Sequence, residues 1–451
     1  MNDFFKASSK IDNNILSKWF NGNMTIYLIH VIALILIYAV ILQSFDSTPN
    51  AISYLRSYFF WWSGIDSWNP MITAIEYCRQ SPGANMYQAL GENGIKFIYP
   101  PTSLVIFDIL KNIFGISASK IYMSYTYLSW ISVYFTVFFT AEILTSILKK
   151  YHFQTIARSI SYILVAIITM LFFPLIKSYS LGQTQTILTM LATLVLYLYL
   201  TDRKKIAGLC LALICAVKPQ LGLVFVWGLI RKEWSMVISG GITIIAILIP
   251  SIFLYGFHNH FDYLSALSFL SRHGECYYAN QSINGVVNRL LFNGNNLNWS
   301  GSYPSFNPIV YLSTLFTSII LIFLGLFWNY KNTKPNVVEM STMMLCSTMA
   351  SPIAWEHHYA ILLPIFILLS PFVLYYYQSE KWKILIFTFA FVVASQYLGI
   401  VDKFADSHLN ILQSYLYFSA LLILVFLFST SRRILLNTGT TSGTLDGAGG
   451  R

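Results

Sequence analysis

The sequence of 451 residues is poor in charge, since Asp, Glu, Lys and Arg make up only 10% of it. A soluble globular domain contains about 25%. Apolar residues reach 56% and fall in long blocks that are separated by short polar segments. A water-soluble globule cannot bury this much apolar surface, and the mean hydropathy of +0.60 excludes a disordered chain. The composition predicts a polytopic membrane protein.

The sequence also lacks the short motifs that bind metals and nucleotides. It contains no CxxC pair, no HExxH, no Walker loop and no GxGxxG, so zinc, nucleotide and nicotinamide sites have no support. Cys210, Cys215 and Cys346 fall inside apolar blocks, whereas Cys78 and Cys276 fall in polar loops. Whether those two loop cysteines form a disulfide stays open at this point.

Ten apolar blocks have about the 20 residues that a helix needs to cross a bilayer. They are 25–45, 121–147, 157–177, 184–201, 234–255, 309–330, 337–355, 359–378, 383–400 and 410–430. Two shorter blocks, 206–217 and 219–230, predict a helical hairpin with Lys218 near its tip, because Pro219 disfavours helix at the preceding residue. With 101–117 as a short or re-entrant helix, we expect an all-α membrane protein with about twelve crossings.

The basic residues indicate how this chain is oriented. They outnumber acidic residues by 28 to 18 and lie in short clusters at the ends of apolar blocks, so they report topology and not a nucleic-acid partner. Basic loops remain cytoplasmic, which places both termini inside and the long loops 46–100 and 256–308 outside. We expect interfacial helices in these outer loops. Residues 1–438 then form one membrane domain, and the Gly- and Thr-rich residues 439–451 are a tail or a cloning remnant.

Several polar residues fall in the predicted outer loops, where they could converge on one site. Asp66 is either a general base for a hydroxyl nucleophile or a cap of the helix predicted at 68–80. Lys218 has no acidic neighbour in the sequence, so it either binds an anion or extends to the membrane interface. Tyr99 precedes two prolines, which fix the backbone at the start of a helix. Gln183 lies in a tight turn, where its amide either binds a ligand or bonds the free backbone groups of a helix end.

Two further motifs belong to the same predicted face. Trp355 stands just before the adjacent His357 and His358. Either ring can donate an N–H to a phosphate, and the sequence offers no further ligands at the spacing of a zinc site.

The second motif runs from Asn280 to Arg289. Its polar residues Gln281, Asn284, Asn288 and Arg289 fall on one face of a helix at the spacing i, i+3, i+7 and i+8. The pattern fits a binding surface, and it fits an ordinary amphipathic surface helix equally well.

Together these motifs resemble glycosyltransferase family 87. The resemblance spans roughly residues 25–430 and rests on Tyr99-Pro100-Pro101, Leu181-Gly182-Gln183, Lys218-Pro219, the segment from Asn280 to Arg289 and the segment from Ser351 to His358. It implies a fold of the GT-C type and an inverting transfer of a hexose, mannose or glucose, from a polyprenyl-phosphate donor. The implied acceptor is a hydroxyl of a glycolipid or lipid-linked glycan, at the periplasmic face of a bacterial inner membrane.

The resemblance also implies roles for individual residues. Asp66 would accept the proton of the acceptor hydroxyl. The donor phosphate would be bound by basic residues, namely Lys218, Arg289 and one of His357 and His358. Substrate contacts would come from polar and aromatic residues, namely Tyr99, Gln183, Asn280, Gln281 and Trp355. We expect no metal or other cofactor, since the phosphate leaving group needs only positive charge and N–H donors.

Two other classes of protein remain possible from the sequence. A lipid-linked polysaccharide polymerase or ligase would share the outer site and the prenyl substrate, but it usually has a larger and more basic outer loop. A secondary transporter would account for twelve crossings and the broken helix pair. It should also show internal repeats, and its ionisable residues should lie at the membrane midplane instead of in outer turns.

Overall fold

The computed structural model is built almost entirely from helices. It describes residues 23–45, 51–59, 63–153, 155–299, 303–330 and 335–442. Over these ranges there is no β-strand, and a single isolated backbone bridge joins Asn280 to Trp355. The expectation of an all-α protein is therefore confirmed.

Eighteen α-helices are described. They are α1 Met24–Phe45, α2 Ala51–Phe59, α3 Trp68–Gln80, α4 Met86–Glu92, α5 Val105–Asp108, α6 Ala118–Lys150, α7 Arg158–Met170, α8 Phe173–Leu181, α9 Gln185–Leu200, α10 Lys204–Cys215, α11 Leu223–Ile230, α12 Trp234–His273, α13 Ile283–Leu290, α14 Pro308–Phe327, α15 Val337–Met349, α16 Leu362–Tyr376, α17 Lys381–Ala394 and α18 Tyr415–Ser442. Short 3₁₀ turns occupy Pro101–Leu104, Pro219–Gly222, Glu356–Ile361, Gly399–Phe404 and His408–Ser414, and a π turn occupies Ile109–Ile113.

Six helical stretches in the described part of the chain are long and apolar enough to cross a membrane. They are Met24–Phe45, Ala118–Lys150, Trp234–His273, Pro308–Phe327, Glu356–Tyr376 and His408–Leu435. A seventh results if α7 and α8, which meet at a bend of 64°, form one broken span. The helices Gln185–Leu200, Pro219–Ile230 and Val337–Met349 are apolar but shorter. The chain is a polytopic membrane protein, and the count of about twelve crossings stays a prediction.

Some predicted blocks differ from the helices that form. The block 157–177 is broken near Phe172, because Pro174 has no backbone N–H and fits only the first turn of a new helix. The second outer loop is partly helical, since α12 continues to His273 beyond a kink at Gly256. Gly256 has a φ of +74°, which a residue with a Cβ rarely adopts. The predicted break between two short helices is confirmed, with Lys218 between α10 and the turn that leads into α11.

The centre of the molecule is formed by α15 and α16. Every residue of α15 is buried, and so is every residue of α16 from Leu362 to Leu374. In contrast, α12 and α14 expose large apolar side chains such as Phe253 and Phe316. An apolar outer surface is what a helix in contact with lipid requires, because lipid chains solvate it as well as protein does.

A second, smaller core holds the first outer segment against α12. Trp68, Phe107 and Tyr125 pack in it with ring centroids 4.5 to 5.7 Å apart. Beneath them the buried Asp108 pairs with Arg79 at 2.5 Å and accepts a hydrogen bond of 3.0 Å from Tyr255 Oη. These contacts join α3 and α12 to the predicted short block, which is helical from Pro101 to Ile113 and too short to cross a bilayer. Phe97 belongs to the same core, and Ile95 and Tyr99 pack against it.

The ends of the first outer loop and of the chain fall partly outside the described residues. The aromatic segment after the first crossing forms α2 up to Phe59, and residues 46–50 and 60–62 lie outside the description. At the other end, α18 continues to Ser442, four residues into the predicted tail, and residues 443–451 lie outside.

Candidate active site

A cavity of about 340 Å³ collects side chains from six separate parts of the chain. We call it the first cavity. Its wall contains six residues that the sequence nominated, namely Asp66, Tyr99, Gln183, Lys218, Trp355 and His358. The helix α12 closes one side with Tyr263, Leu267 and Leu270. The structure thus brings most of the predicted site together, although more than 290 residues separate its first and last members in the sequence.

Backbone contact between two loops positions Asp66. The amide N–H of Gly64 donates to Ser180 O at 2.8 Å, and that of Asp66 donates to Leu181 O at 3.1 Å. This approach requires glycine at position 182, because a Cβ there would lie 1.8 Å from the carbonyl oxygen of Gly64 and its φ is +69°. The Leu-Gly-Gln motif therefore acts as a docking surface for the loop that carries the carboxylate.

A polar network then orients the Asp66 carboxylate. The amide nitrogen of Gln183 donates to Asp66 Oδ2. The amide oxygen of Gln183 accepts hydrogen bonds from Ser67 Oγ at 2.8 Å and from Tyr99 Oη at 3.4 Å. Because both hydroxyls donate to that oxygen, the Gln183 amide can present only its NH₂ group to Asp66. Tyr99 and Gln183 are thus positioning groups for the carboxylate.

Asp66 opens to the cavity and combines opposing electrostatic influences. Partial burial raises the pKa of its carboxyl. The hydrogen bond from Gln183 and the positive charges of Lys96 and Lys177 act in the opposite direction, with burial prevailing. A carboxylate with a raised pKa is a stronger base, which suits proton abstraction from a hydroxyl.

Lys218 lies on the cavity wall as a buried cation. It is 8% exposed, and its Nζ donates to Gln185 Oε1 at 2.6 Å. In the described part of the chain no acidic side chain pairs with it, and loss of hydration lowers the pKa of its ammonium well below the usual range. An uncompensated buried cation is costly, and a bound anion would remove that cost.

Lys96 is a cavity residue that the sequence reasoning missed. Its Nζ forms an ion pair with the fully buried Glu275 and lies 4.1 Å from the ring centre of Trp299 and 4.0 Å from that of Trp355. Trp355 Nε1 also donates to Glu275 Oε2 at 2.6 Å. The sequence could have indicated Lys96 through its position, because it lies three residues before Tyr99 in the same outer segment.

The two adjacent histidines are placed differently. The His358 ring lines the cavity. The His357 ring packs behind it with centroids 4.7 Å apart and contacts Trp355 at 5.5 Å. His357 is 4% exposed, and its Nε2 has no hydrogen-bond partner among the described residues. Of the pair, His358 is therefore the ring that can reach a ligand in the cavity.

Asn280 and Gln281 lie beneath the cavity and not in its wall. The Asn280 side chain accepts from Ala354 N at 3.1 Å and donates to Pro352 O at 3.3 Å, while Gln281 N donates to Ala354 O at 2.8 Å. Both residues are fully buried. We call this contact between residues 280–282 and 352–356 the loop clamp. It holds the turn that carries Trp355 and His358.

The predicted helix face of the 280–289 segment is also buried, which excludes a surface helix. The helix begins at Ile283 after the Ser282 cap, so Gln281 precedes it. Arg289 is 0% exposed, and its guanidinium donates to the carbonyl oxygens of Cys276, Tyr277 and Asn280 at 3.1 to 3.3 Å and to Ser414 Oγ at 2.6 Å. It is not brought to the cavity, and a phosphate contact by Arg289 has no support in this geometry.

The loop cysteines have separate environments. Cys78 Sγ contacts Met86 Sδ at 3.6 Å and Cys276 Sγ contacts Gly294 O at 3.4 Å, and both thiols are free. Over the described ranges, no group of three His, Cys, Asp or Glu side chains is arranged to hold a metal ion.

The sequence matches the model of a known protein family. Residues 97–352 match the family model described as glycosyltransferase family 87, which is more than half of the chain. The chain belongs to glycosyltransferase family 87. The matched region includes Tyr99, Gln183 and Lys218, whereas Asp66 and His358 lie outside it. No curated protein and no solved structure matches the sequence. Family membership makes the protein a membrane glycosyltransferase.

Proposed function

We propose that the protein transfers a hexose from a polyprenyl-phosphate donor to a hydroxyl of a glycolipid or lipid-linked glycan, with inversion at the anomeric carbon. The observation that carries this proposal is the composition of the first cavity. It combines a carboxylate, Asp66, with a buried cation, Lys218, that has no acidic partner among the described residues. A base for the acceptor and a positive charge for the leaving group are the two components that such a reaction requires.

The acceptor side of the reaction is assigned to Asp66. The acceptor oxygen attacks the anomeric carbon and forms the new C–O bond, while its proton passes to the Asp66 carboxylate. General-base catalysis of this kind contributes about 10² to 10⁴ in rate. Gln183 and Tyr99 act through Asp66, because they fix its orientation through hydrogen bonds and do not need to contact the reacting atoms.

The donor side is assigned to Lys218 and His358. As the bond from the anomeric carbon to the phosphate oxygen breaks, its electron pair remains on that oxygen. Lys218 Nζ and a His358 N–H would stabilise the resulting charge. A bound phosphate would also favour the charged form of Lys218, whose ammonium is buried away from water. Attack opposite the phosphate gives inversion, so a β-linked donor would yield an α-glycoside.

The location of the cavity suits a lipid-linked donor. Leu267 and Leu270 of α12 line the first cavity, while Phe261 and Leu264 of the same helix are 56% and 57% exposed. A prenyl chain could lie along this apolar surface while its phosphate enters the cavity. We place this face on the periplasmic side of a bacterial inner membrane, because the basic loops belong to the cytoplasmic side.

The decisive experiment uses the purified protein with polyprenyl-phosphate mannose and, separately, polyprenyl-phosphate glucose. Release of polyprenyl phosphate and the anomeric configuration of the product are measured for each donor. We expect turnover of one donor with inversion, and retention of configuration would contradict the mechanism. We also propose that no metal is required, so activity should survive exhaustive chelation with EDTA. Loss of activity that a divalent ion restores would show that metal holds the phosphate.

A further inference from the structure

A second cavity of about 440 Å³ adjoins the first. The two share a wall, because Gly94, Ile95, Lys96, Ile98 and Leu270 line both. Lys218 and His358, the groups proposed to bind the donor phosphate, line only the first cavity. The second cavity has the volume of a small-molecule site and lies beside the carboxylate that would activate the acceptor.

Aromatic rings form one side of this second cavity. Trp299 is 38% exposed, although Lys96 Nζ lies over one face of its ring at 4.1 Å. It meets Tyr303 at an interplanar angle of 77°, with the ring centroids 5.8 Å apart. Phe269 stands against Tyr303 at 87° and 5.4 Å. Rings at right angles offer both a face and an edge, and the C–H face of a sugar ring packs well against such apolar surfaces.

The helix α12 adds polar groups to the wall of this cavity, on the same face as Phe269. Asp262 and Ser265 stand three residues apart on α12, so both lie on the face that lines the second cavity. Neither side chain forms a hydrogen bond or an ion pair with another described residue. By comparison, Gln88 in the same wall is already bonded to Glu92. A carboxylate and a hydroxyl can together accept and donate hydrogen bonds to sugar hydroxyls.

The charges of this cavity select against an anionic ligand. Lys96 is the one cation in its described wall, and its charge is compensated by Glu275. The carboxylate of Asp262 has no ion-pair partner in the part of the chain that the structure describes. A glycan end with a carboxylate or phosphate would therefore meet net negative charge, whereas a neutral sugar would not.

We propose that the second cavity binds the terminal neutral sugar of the acceptor, stacked on Trp299 and hydrogen-bonded to Asp262, with the reacting hydroxyl directed into the first cavity. This inference rests on the proposed transfer reaction for its role as an acceptor site, but the carbohydrate site itself can be tested without turnover. Shape and charge thus assign the substrate class to an uncharged hexopyranose end of a glycan.

The experiment is saturation-transfer NMR on the full chain in a detergent that contains no sugar. The probes are hexyl glycosides of mannose, glucose and galactose, and hexyl glucuronide as the anionic counterpart. We expect a signal from at least one neutral glycoside, about tenfold weaker binding with Trp299→Ala or Asp262→Asn, and no signal from the glucuronide. Trp234→Ala is the matched control, because Trp234 is an exposed tryptophan at the opposite end of α12. Its binding should equal that of wild type.

Binding that is unchanged in both Trp299→Ala and Asp262→Asn, or a glucuronide signal stronger than any neutral signal, would overturn the proposal. Trp299→Phe keeps an aromatic face and should retain binding, which separates loss of stacking from loss of fold. Release of polyprenyl phosphate, measured in parallel, separates the two proposals. Glycan binding without any donor turnover would support the site and reject the transfer reaction, and turnover with binding independent of both residues would reject the site alone.

Discussion

The wall of the first cavity and the loop clamp below it are built from similar polar residues, but those residues use their polar groups differently. In the clamp, Asn280 and Gln281 are fully buried and bonded to backbone atoms. In the wall, Lys218 has an amide as its described partner and Asp66 opens to the cavity. Fully bonded groups hold a structure in place, whereas groups with unused capacity can bind a ligand.

Among the substitutions that test this contrast, Asp66→Asn should have the largest effect on turnover. Removing the base should lower turnover by about 10² to 10⁴, while donor binding stays nearly unchanged because the amide keeps the shape of the side chain. Steady-state release of polyprenyl phosphate and donor binding by NMR give the two quantities. Asp406→Asn, an exposed aspartate outside the cavity wall, serves as the control. Turnover of the Asp66→Asn variant within about tenfold of wild type would remove Asp66 from the role of base.

Lys218→Met should produce the next largest effect, and one of a different kind. A contact with the donor phosphate is made before and during transfer, so the change should weaken donor binding as well as turnover, by about tenfold or more. His358→Ala should act in the same direction, and His357→Ala should do so less, because the His357 ring is behind the wall. Lys120→Met, an exposed lysine, is the control. Normal donor affinity in both Lys218→Met and His358→Ala would place the phosphate elsewhere.

Sequence reasoning predicted the wall better than the clamp, for a physical reason. Asp66, Lys218 and His358 carry ionisable groups. Such groups are rare in an apolar chain, so the sequence alone identifies them as candidates for a functional site. Arg289 is charged and Asn280 is polar, but only the fold shows that neighbouring carbonyl oxygens already accept their hydrogen bonds. Lys96 was missed because its partners Glu275, Trp299 and Trp355 are about 180 to 260 residues away in the sequence, and no local pattern indicates such a contact.

The long helices were predicted well from the sequence, and the positions of their ends less well. Long apolar runs such as Met24–Phe45 and Pro308–Phe327 specify a helix through composition alone. The break between α7 and α8 is specified by tertiary contact in addition to Pro174, because Phe173 N donates to Ser395 O at 2.9 Å. The sequence does not show which distant carbonyl will accept that bond.

Arg289→Met tests the converse case, in which stability is lost but donor binding is kept. It would remove the guanidinium donor from the carbonyl oxygens of Cys276, Tyr277 and Asn280, of which the Tyr277 oxygen keeps a hydrogen bond from Asn280 N. Each buried group left unsatisfied costs about 1 to 3 kcal/mol. We expect a lower Tm and less folded protein, with donor affinity of the folded fraction unchanged. Thermal unfolding in detergent and donor binding per folded molecule measure these quantities. Arg272→Met, exposed near the same segment, should leave both unchanged. A stable Arg289→Met variant with weak donor binding would return Arg289 to the phosphate site.

The smallest expected effect is a shift in the pH dependence of Gln183→Ala. Asp66 must be deprotonated to act as a base, so turnover falls as the pH drops through the pKa of its carboxyl. Burial raises that pKa, and the hydrogen bond from Gln183 lowers it. Removing the bond should therefore raise the pKa further and move the acidic limb of the pH–rate profile to higher pH. Gln220→Ala changes the same residue type in the same wall, without a bond to Asp66, and should leave the limb in place. A limb that moves to lower pH in Gln183→Ala, or that moves equally in both variants, would show that Gln183 does not tune the base.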